Sequence, residues 1–166
     1  MKEIGKLRHL TSIYLTKGNQ ILLLYRQGSR VVNNKWVSSA GGHFEENEVN
    51  SAYACALREL DEELHLKEDD LLSVKMRYVT LYNNAKDLRQ NYYFFAELKD
   101  HVQSDFISNE GLTKWFDFDE ISHLDMPFTS KMVTEHYLKE GRFTDLLYAG
   151  ISTNQKMVFH ELDEFE

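Results

Sequence analysis

The chain has 166 residues, the size of an ordinary domain, and 42% of them are hydrophobic, enough to build a buried core. Its 27 acidic and 19 basic residues give a formal net charge of −8, which argues against nonspecific binding to nucleic acid polymers or anionic membranes. The single cysteine, Cys55, is expected to be a small buried residue rather than a nucleophile. Without a long apolar run or a secretion signal, we expect one domain over residues 1–166, located in the cytoplasm.

The first half of the sequence predicts three strands and one helix, in that order. Residues 10–16 and 20–26 are rich in apolar and β-branched side chains, and Gly18 between them favours a hairpin turn. Residues 35–44 predict a short strand that runs into a glycine loop. Alanine, leucine and glutamate dominate the segment from position 50 to about position 65, where a capping Asn or Ser at the start favours a helix.

The second half of the sequence adds strands on both sides of a second helix. Residues 71–83 and 90–98 carry β-branched and aromatic residues with partial alternation, which predicts two strands. Further strand candidates are residues 112–118, 145–152 and 156–162. A helix is expected from about Thr129, with Gly141 just past its end. Strands, a helix, more strands and another helix indicate a mixed α/β domain.

The first predicted helix carries an acidic cluster. At about 100° per residue, Glu59, Glu62 and Glu63 fall on one face of this helix, while Asp61 points away from them. A separate apolar stripe is expected to face the core, and it consists of Tyr53, Leu57, Leu60 and Leu64. Because three carboxylates on one face repel one another, the cluster needs a positive partner.

A divalent cation is one such partner, since magnesium is usually held by a few carboxylates together with substrate phosphates. The glycine pair Gly41 and Gly42 precedes the helix, and glycines let the backbone approach a ligand closely. The alternative is a solvated acidic helix face, which is how most charge runs are arranged. The glycine pair, together with Arg58 directly before Glu59, favours a functional site.

The segment from Gly41 to Leu66, GGHFEENEVNSAYACALRELDEELHL, resembles the Nudix box of the Nudix (MutT-like) hydrolases. The family pattern is a glycine, five residues, a glutamate, seven residues, and then Arg-Glu-apolar-x-Glu-Glu-x-Gly-apolar. The matching residues are Gly42, Glu48, Arg58, Glu59, Leu60, Glu62, Glu63 and Leu66. Two features depart from the pattern: nine residues rather than seven separate Glu48 from Arg58, and His65 stands where the family has glycine.

The resemblance implies an α/β fold of the Nudix type, which is an α/β/α sandwich with a mixed central sheet. It also implies hydrolysis of a nucleoside diphosphate linked to another group, with Mg²⁺ or Mn²⁺ as the cofactor. The residues that would hold the metal are Gly41, through its carbonyl, and Glu59, Glu62 and Glu63. Glu59 would also activate the attacking water. Arg58 would orient the carboxylates, and Glu48 would either pair with Arg58 or support the loop.

Two further site residues follow from the resemblance, and a third from the ability of aromatic rings to stack on a nucleobase. Glu110 lies in the later loop where many members carry another metal ligand or base, and a solvated turn acid is the alternative. Arg26 ends the second predicted strand, where members often place a basic residue that contacts a phosphate. The alternative is a plain surface arginine. Phe128 is a candidate for stacking on the base of the substrate, as are Tyr82 and Tyr93 if they do not belong to the core.

The substrate is defined less sharply, because specificity in this family lies outside the box. We expect a nucleoside triphosphate pyrophosphohydrolase that releases a nucleoside monophosphate and pyrophosphate, with 8-oxo-dGTP as one candidate substrate. Two alternatives are hydrolysis of a nucleotide sugar or dinucleoside polyphosphate, and a regulatory module that binds a nucleotide without cleaving it. The expected partner is a small nucleotide derivative, and the oligomeric state stays open, with a homodimer as one alternative.

Overall fold

The computed structural model describes residues 5–30, 32–153 and 155–163. The strands in these residues are Lys6–Lys17 (β1), Gln20–Arg26 (β2), Lys35–Val37 (β3), Ala40–His43 (β4), Leu71–Asn83 (β5), Asp87–Leu98 (β6), Gly111–Asp117 (β7), Tyr148–Ser152 (β8) and Met157–Glu161 (β9). The α-helices are Ala52–Leu64 (α1) and Phe128–Lys139 (α2). None of the helices in these ranges combines the length and the apolar character needed to cross a membrane.

The strands form one mixed sheet in the order β3-β2-β1-β6-β5-β8-β9, with β4 also paired to β1 and β7 also paired to β2. The β1–β6 and β5–β8 pairs are parallel, and the others are antiparallel. Strand β1 is central, since its residues 10–13 pair with β4 and its residues 15–17 pair with β2. This arrangement sets β4, which carries the glycine pair, beside the middle of β1.

Alternating side chains of the sheet supply two hydrophobic cores, one on each face. On one face, Ile13 and Phe94 belong to the same buried cluster as Leu60 of α1. On the other face, Tyr14 belongs to the cluster that contains Val133 of α2. The two helices therefore cover opposite faces of a mixed sheet, and the predicted α/β/α sandwich is confirmed.

Helix α1 has the predicted start and an unusual end. Ser51 caps it, because the Ser51 Oγ accepts a hydrogen bond from the Ala54 backbone N–H at 3.1 Å. His65 ends it in the left-handed conformation, with φ 56° and ψ 34°, and donates its backbone N–H to the Asp61 carbonyl at 3.0 Å. Histidine thus adopts the backbone conformation that glycine commonly takes at this place.

The buried face of α1 differs from the predicted apolar stripe. The two C-terminal leucines of the stripe are buried, but Tyr53 is 37% exposed, whereas Cys55 and Ala56 are fully buried. The reason is that β1 and β4 lie against the small residues, with Thr11 Oγ1 3.3 Å from the Cys55 sulfur. The Tyr53 hydroxyl instead donates to Glu68 at the surface. Cys55 is the small buried residue that the sequence predicts.

The glycine pair lies in strand β4 and not in a loop, which corrects the prediction. Gly41 pairs with Ser12 of β1, and Gly42 pairs with Thr11. A Cβ atom on Gly42 would overlap the carboxylate of Glu59, and one on Gly41 would overlap the Thr11 carbonyl. Gly42 is therefore required where α1 approaches the strand, and Gly41 where the backbone of β1 lies close beside it.

Candidate active site

Arg58 lies at the centre of the acidic cluster of α1. Its Nε is 2.6 Å from Glu48 Oε1 and its Nη2 is 3.1 Å from Glu48 Oε2, so the two side chains form a bidentate pair. Its Nη1 is 2.9 Å from Glu59 Oε1 and 3.0 Å from Glu62 Oε2. Its Nη2 also donates to the His43 carbonyl at 3.1 Å. One guanidinium therefore joins three carboxylates of the box to strand β4.

Glu48 is held firmly in this cluster. It is only 4% exposed, and the hydrogen bonds from Arg58 lower its pKa to about 2, although burial acts in the opposite direction. Its Oε2 also accepts the Glu45 backbone N–H at 3.0 Å. Glu48 thus fulfils both predicted alternatives, pairing with Arg58 and supporting the loop, and the two additional residues in the box leave that contact intact.

Two carboxyl groups of α1, those of Glu63 and Glu59, have raised pKa values. Burial is the largest cause that raises the pKa of Glu63 to about 8, and the charges of Glu59 and Glu110 add to the shift. Arg26 and the Gly41 backbone act in the opposite direction. Burial also raises the pKa of Glu59. A positive charge placed beside these groups would favour their ionised forms.

The donor set fits a hard divalent cation. Glu59, Glu62 and Glu63 offer oxygen ligands, which magnesium and manganese prefer, and their crowding is relieved by positive charge. Within residues 5–30, 32–153 and 155–163, no three acidic, histidine or cysteine side chains already converge as a metal site. Arg58 holds two of the three glutamates by ion pairs. A cation would therefore share these carboxylates with the guanidinium.

A cavity of about 690 Å³ opens beside the acidic cluster. Gly41, Glu63, Arg26 and Phe128, all predicted site residues, line it. The Arg26 Nη2 lies 2.8 Å from Glu110 Oε2, so these two predicted site residues form an ion pair. Arg26 is the member of the pair that lines the cavity. The other two glutamates of the acidic cluster are not lining residues and lie against the guanidinium of α1.

The floor of the cavity is the face of the sheet opposite α1. Residues in register on neighbouring strands share a face, so the floor consists of rows that cross β1, β6 and β5. These rows are Arg8–Arg89–Tyr82, Leu10–Asn91–Thr80 and Ser12–Tyr93. Tyr82 and Tyr93, which the sequence offers as base contacts, therefore face the cavity, although Tyr93 is only 1% exposed.

Sequence reasoning missed Arg8, Arg89 and Asn91. The period-two alternation in β1 and β6 carries a signal, since it places Arg8 with Ser12 and Arg89 with Asn91 on one face. The parallel contact between the two strands joins distant parts of the chain, however, and no local pattern predicts it. The charges of Arg8 and Arg89 also act on His43. Burial is the largest cause that lowers the pKa of His43, and these two charges lower it further.

Comparisons with known proteins agree with this architecture. A family model described as the NUDIX domain matches residues 6–137, while no curated protein sequence matches the chain. A solved MutT protein from Bacillus halodurans is 19% identical, with a TM-score of 0.64 over 93% of this chain and 97% of that one. A MutT protein from Methanosarcina mazei Go1 is 17% identical, with a TM-score of 0.67 over 82% and 96%.

A NUDIX hydrolase from Nitrosomonas europaea is 18% identical, with a TM-score of 0.65 over 90% of this chain and 81% of that one. At such identities the structural likeness establishes the fold and nothing further. The family model covers most of the chain, including the whole acidic cluster and its cavity-facing strands. The chain therefore belongs to the Nudix family of hydrolases, which act on pyrophosphate bonds in nucleoside diphosphate derivatives and generally use a divalent metal.

Proposed function

We propose that the protein is a Mg²⁺- or Mn²⁺-dependent pyrophosphohydrolase that cleaves a nucleoside triphosphate into a nucleoside monophosphate and pyrophosphate. The observation that carries the proposal is the arrangement of Glu63, Gly41 and Arg26 around one end of a cavity large enough for a nucleotide. Carboxylates for a cation and a guanidinium for a phosphate meet there. The oxidised nucleotide 8-oxo-dGTP is one candidate substrate.

The proposed metal ligands are Glu59, Glu62 and Glu63, with the Gly41 carbonyl as a fourth donor. A divalent cation held there supplies the positive charge that offsets the phosphate oxygens of the substrate. In the same proposal, Glu59 accepts the proton of the attacking water. Its carboxylate is already fixed by contact with Gly42 and by Arg58, whose Nη1 lies 2.9 Å away, so the base is oriented before the substrate arrives.

Residues at the cavity wall would position the substrate. Arg26 contacts a phosphate, and Glu110, 2.8 Å from its Nη2, holds the guanidinium in place. In this role Glu110 positions Arg26 and also stands close enough to Glu63 to raise its pKa. Phe128, 37% exposed at the start of α2, offers a ring on which a base can stack.

A second candidate function is hydrolysis of another diphosphate, such as a nucleotide sugar or a dinucleoside polyphosphate. The observation that favours it is the length of the cavity, which continues along β1 to Arg8 and Arg89, well beyond the acidic cluster. A regulatory module without catalysis is less well supported, because the three box glutamates are all present. The homodimer, the cytoplasmic location and the lack of nucleic acid or membrane partners stay predictions.

A product assay tests the proposed function. The purified protein is incubated with Mg²⁺ and, separately, with Mn²⁺ against normal and oxidised nucleoside triphosphates, nucleotide sugars and dinucleoside polyphosphates, and the products are separated by chromatography. Metal-dependent release of a nucleoside monophosphate and pyrophosphate is the expected result. Release of products only from the nucleotide sugars or dinucleoside polyphosphates favours the second candidate. Nucleotide binding without cleavage of any compound rejects both in favour of the regulatory module.

A further inference from the structure

Two arginines stand side by side at the far end of the cavity. Arg8 of β1 and Arg89 of β6 are register partners in a parallel pair, so their backbones are about 4.8 Å apart and their side chains share a face. Both side chains line the cavity. Arg8 is at the rim, with 40% of its side chain exposed, so a bound group can be reached from solvent.

The positive charge at this end is only partly balanced. Arg8 Nε lies 3.0 Å from Asp87 Oδ2, so one carboxylate stands against two guanidinium groups. In the part of the chain that the structure describes, no carboxylate lies within ion-pair distance of Arg89, and its buried Nε has no hydrogen-bond partner. Placing like charges on adjacent strands is destabilising unless an anion lies between them. In a chain with a net charge of −8, a local excess of positive charge points to a ligand.

The spacing between the two ends of the cavity limits what that ligand is. Ser12 of β1 is the register partner of Gly41, at the acidic end. Arg8 lies four residues earlier on the same strand, which corresponds to about 13 Å. The row between them carries only uncharged side chains, among them Asn91, whose buried Oδ1 has no hydrogen-bond partner among the described residues. One extended molecule can therefore touch both ends.

We propose that Arg8 and Arg89 bind a second anionic group of the substrate, either a phosphate on its ribose or a carboxylate or phosphate on the group linked to its diphosphate. The inference rests on the proposed function for the position of the diphosphate at the acidic end. It adds that a nucleotide with this second anion is a better ligand than the same nucleotide without it. Guanidinium groups are suited to this role because they bind phosphate and carboxylate in a bidentate manner.

An uncharged nucleobase is a poorer match for this end. A base edge presents both donors and acceptors, whereas two guanidinium groups present donors only. The middle of the cavity, with Asn91, Thr80 and the ring of Phe128, has the mixture of polar and aromatic groups that suits a base. The two arginines therefore suit an anionic group that lies beyond the nucleoside, at the far end of the cavity.

Paired ligands that differ by one anionic group test the proposal. Coenzyme A and 3′-dephospho-coenzyme A, and NADP and NAD, differ by a ribose phosphate, while UDP-glucuronate and UDP-glucose differ by a carboxylate on the linked sugar. Dissociation constants are measured by calorimetry with Ca²⁺, another hard cation that takes oxygen ligands, so that the carboxylates do not repel the diphosphate, and kcat/KM is measured with Mg²⁺. In at least one pair, the wild type is expected to bind the more anionic member at least about tenfold more tightly. The pair that shows the preference identifies the source of the anion.

Variants of the arginine pair connect this preference to the residues. Arg89→Ala is expected to reduce the ratio of dissociation constants to about twofold or less, while Arg89→Lys, which keeps the positive charge, retains much of it. Arg142→Ala is the matched control, since it removes an arginine that lies against Phe118 and Phe143, outside the cavity. Circular dichroism checks that each variant is folded, and Arg8→Ala serves as a second test of the pair.

Equal or absent binding of both members in every pair, or an unchanged ratio in both Arg89→Ala and Arg8→Ala, overturns the inference. The binding measurement needs no turnover, so it separates this inference from the proposed function. A protein that shows the binding preference but cleaves nothing retains the arginine site and rejects the pyrophosphohydrolase. A protein that cleaves triphosphates but binds the paired ligands equally retains the pyrophosphohydrolase and rejects the arginine site.

Discussion

The two ends of the cavity gather like charges in different ways. At the acidic end, Glu59, Glu62 and Glu63 come from five consecutive residues of one helix, and Arg58 of the same helix opposes two of them. At the basic end, the charges come from two strands that are distant in sequence and meet only in the folded sheet. The comparison teaches that the chain balances much of its acidic cluster internally, whereas the balance at the basic end is incomplete without a ligand.

Removing a carboxylate should damage the acidic end most. Glu63→Gln and Glu62→Gln are expected to lower kcat by about 10²–10³-fold with Mg²⁺, because each removes a negatively charged donor for the metal. The thermal unfolding temperature should change little. Steady-state kinetics and circular dichroism measure the two effects.

Asp61→Asn is the matched control for this pair of substitutions. Asp61 lies on the same helix but pairs with Lys67, whose Nζ is 2.6 Å from Asp61 Oδ2. Its loss should leave kcat within about twofold and change the unfolding free energy by less than about 1 kcal/mol. An equal loss of activity in Asp61→Asn and Glu63→Gln would mean that net charge, and not the cavity-facing carboxylate, is what matters.

The next largest effect is expected where the acidic end is balanced internally. Glu48→Gln breaks the bidentate pair with Arg58 and should lower the unfolding free energy by about 2–3 kcal/mol at pH 7. Because the pKa of Glu48 is lowered to about 2 in the folded protein, its contribution is complete above its ordinary value of 4.5. The contribution is lost as the pH falls from 4.5 towards 2. Urea unfolding of both proteins across this range measures the difference.

The difference between wild type and Glu48→Gln should therefore shrink as the pH falls below 4.5. Glu46→Gln is the control, since Glu46 is an exposed carboxylate of the same 3-10 turn. This substitution should cost less than about 0.5 kcal/mol at every pH. A constant difference for Glu48→Gln down to pH 3 would contradict the assignment of the low pKa to the Arg58 pair.

A smaller effect tests the close approach of strand and helix at the acidic end. Gly42→Ala places a methyl group where the Glu59 carboxylate lies, so Glu59 must move. We expect kcat to fall by about 10–100-fold, because positioning of a catalytic group by even small distances controls the rate. Gly18→Ala is the contrasting variant, with φ 57° and open space around the added atom. It should lower stability by about 1 kcal/mol and leave kcat unchanged.

The smallest expected effect concerns the wall between the two ends. Phe128→Ala removes a ring that lines the cavity, and it should raise KM by roughly 5–10-fold with little change in kcat, as expected for loss of base stacking. Phe143→Ala is the control, since Phe143 is 68% exposed and does not line the cavity. If kcat falls and KM does not rise, Phe128 acts on the chemistry rather than on binding.

The parts of the site that were predictable are those set by local geometry. The acidic face of α1 follows from the helical period alone. The helix ends at His65, the position where the Nudix box has glycine, a residue that commonly ends helices. The pairing of Arg58 with Glu48 was one of the two alternatives that the resemblance to the Nudix box implied. In each case the relevant contacts span only a few turns of the chain.

The parts that were not predictable depend on which segments meet. Gly42 looks like a loop residue in the sequence, and it becomes a strand residue because β4 pairs with β1. Tyr53 has the right helical spacing for the core, yet it is 37% exposed and its hydroxyl donates to Glu68 at the surface. The basic end needs the parallel pairing of β1 with β6, which no local pattern specifies.

The contact between Glu48 and Arg58 also has an evolutionary and practical consequence. Both residues are fixed, and between them Val49 and Asn50 lie exposed just before the cap of α1. This exposed segment can accommodate insertions and deletions in the motif, since neither fixed residue has to move when the segment becomes longer or shorter. The same exposed segment is therefore a suitable attachment point for a reporter group that leaves the side chains of the proposed site undisturbed.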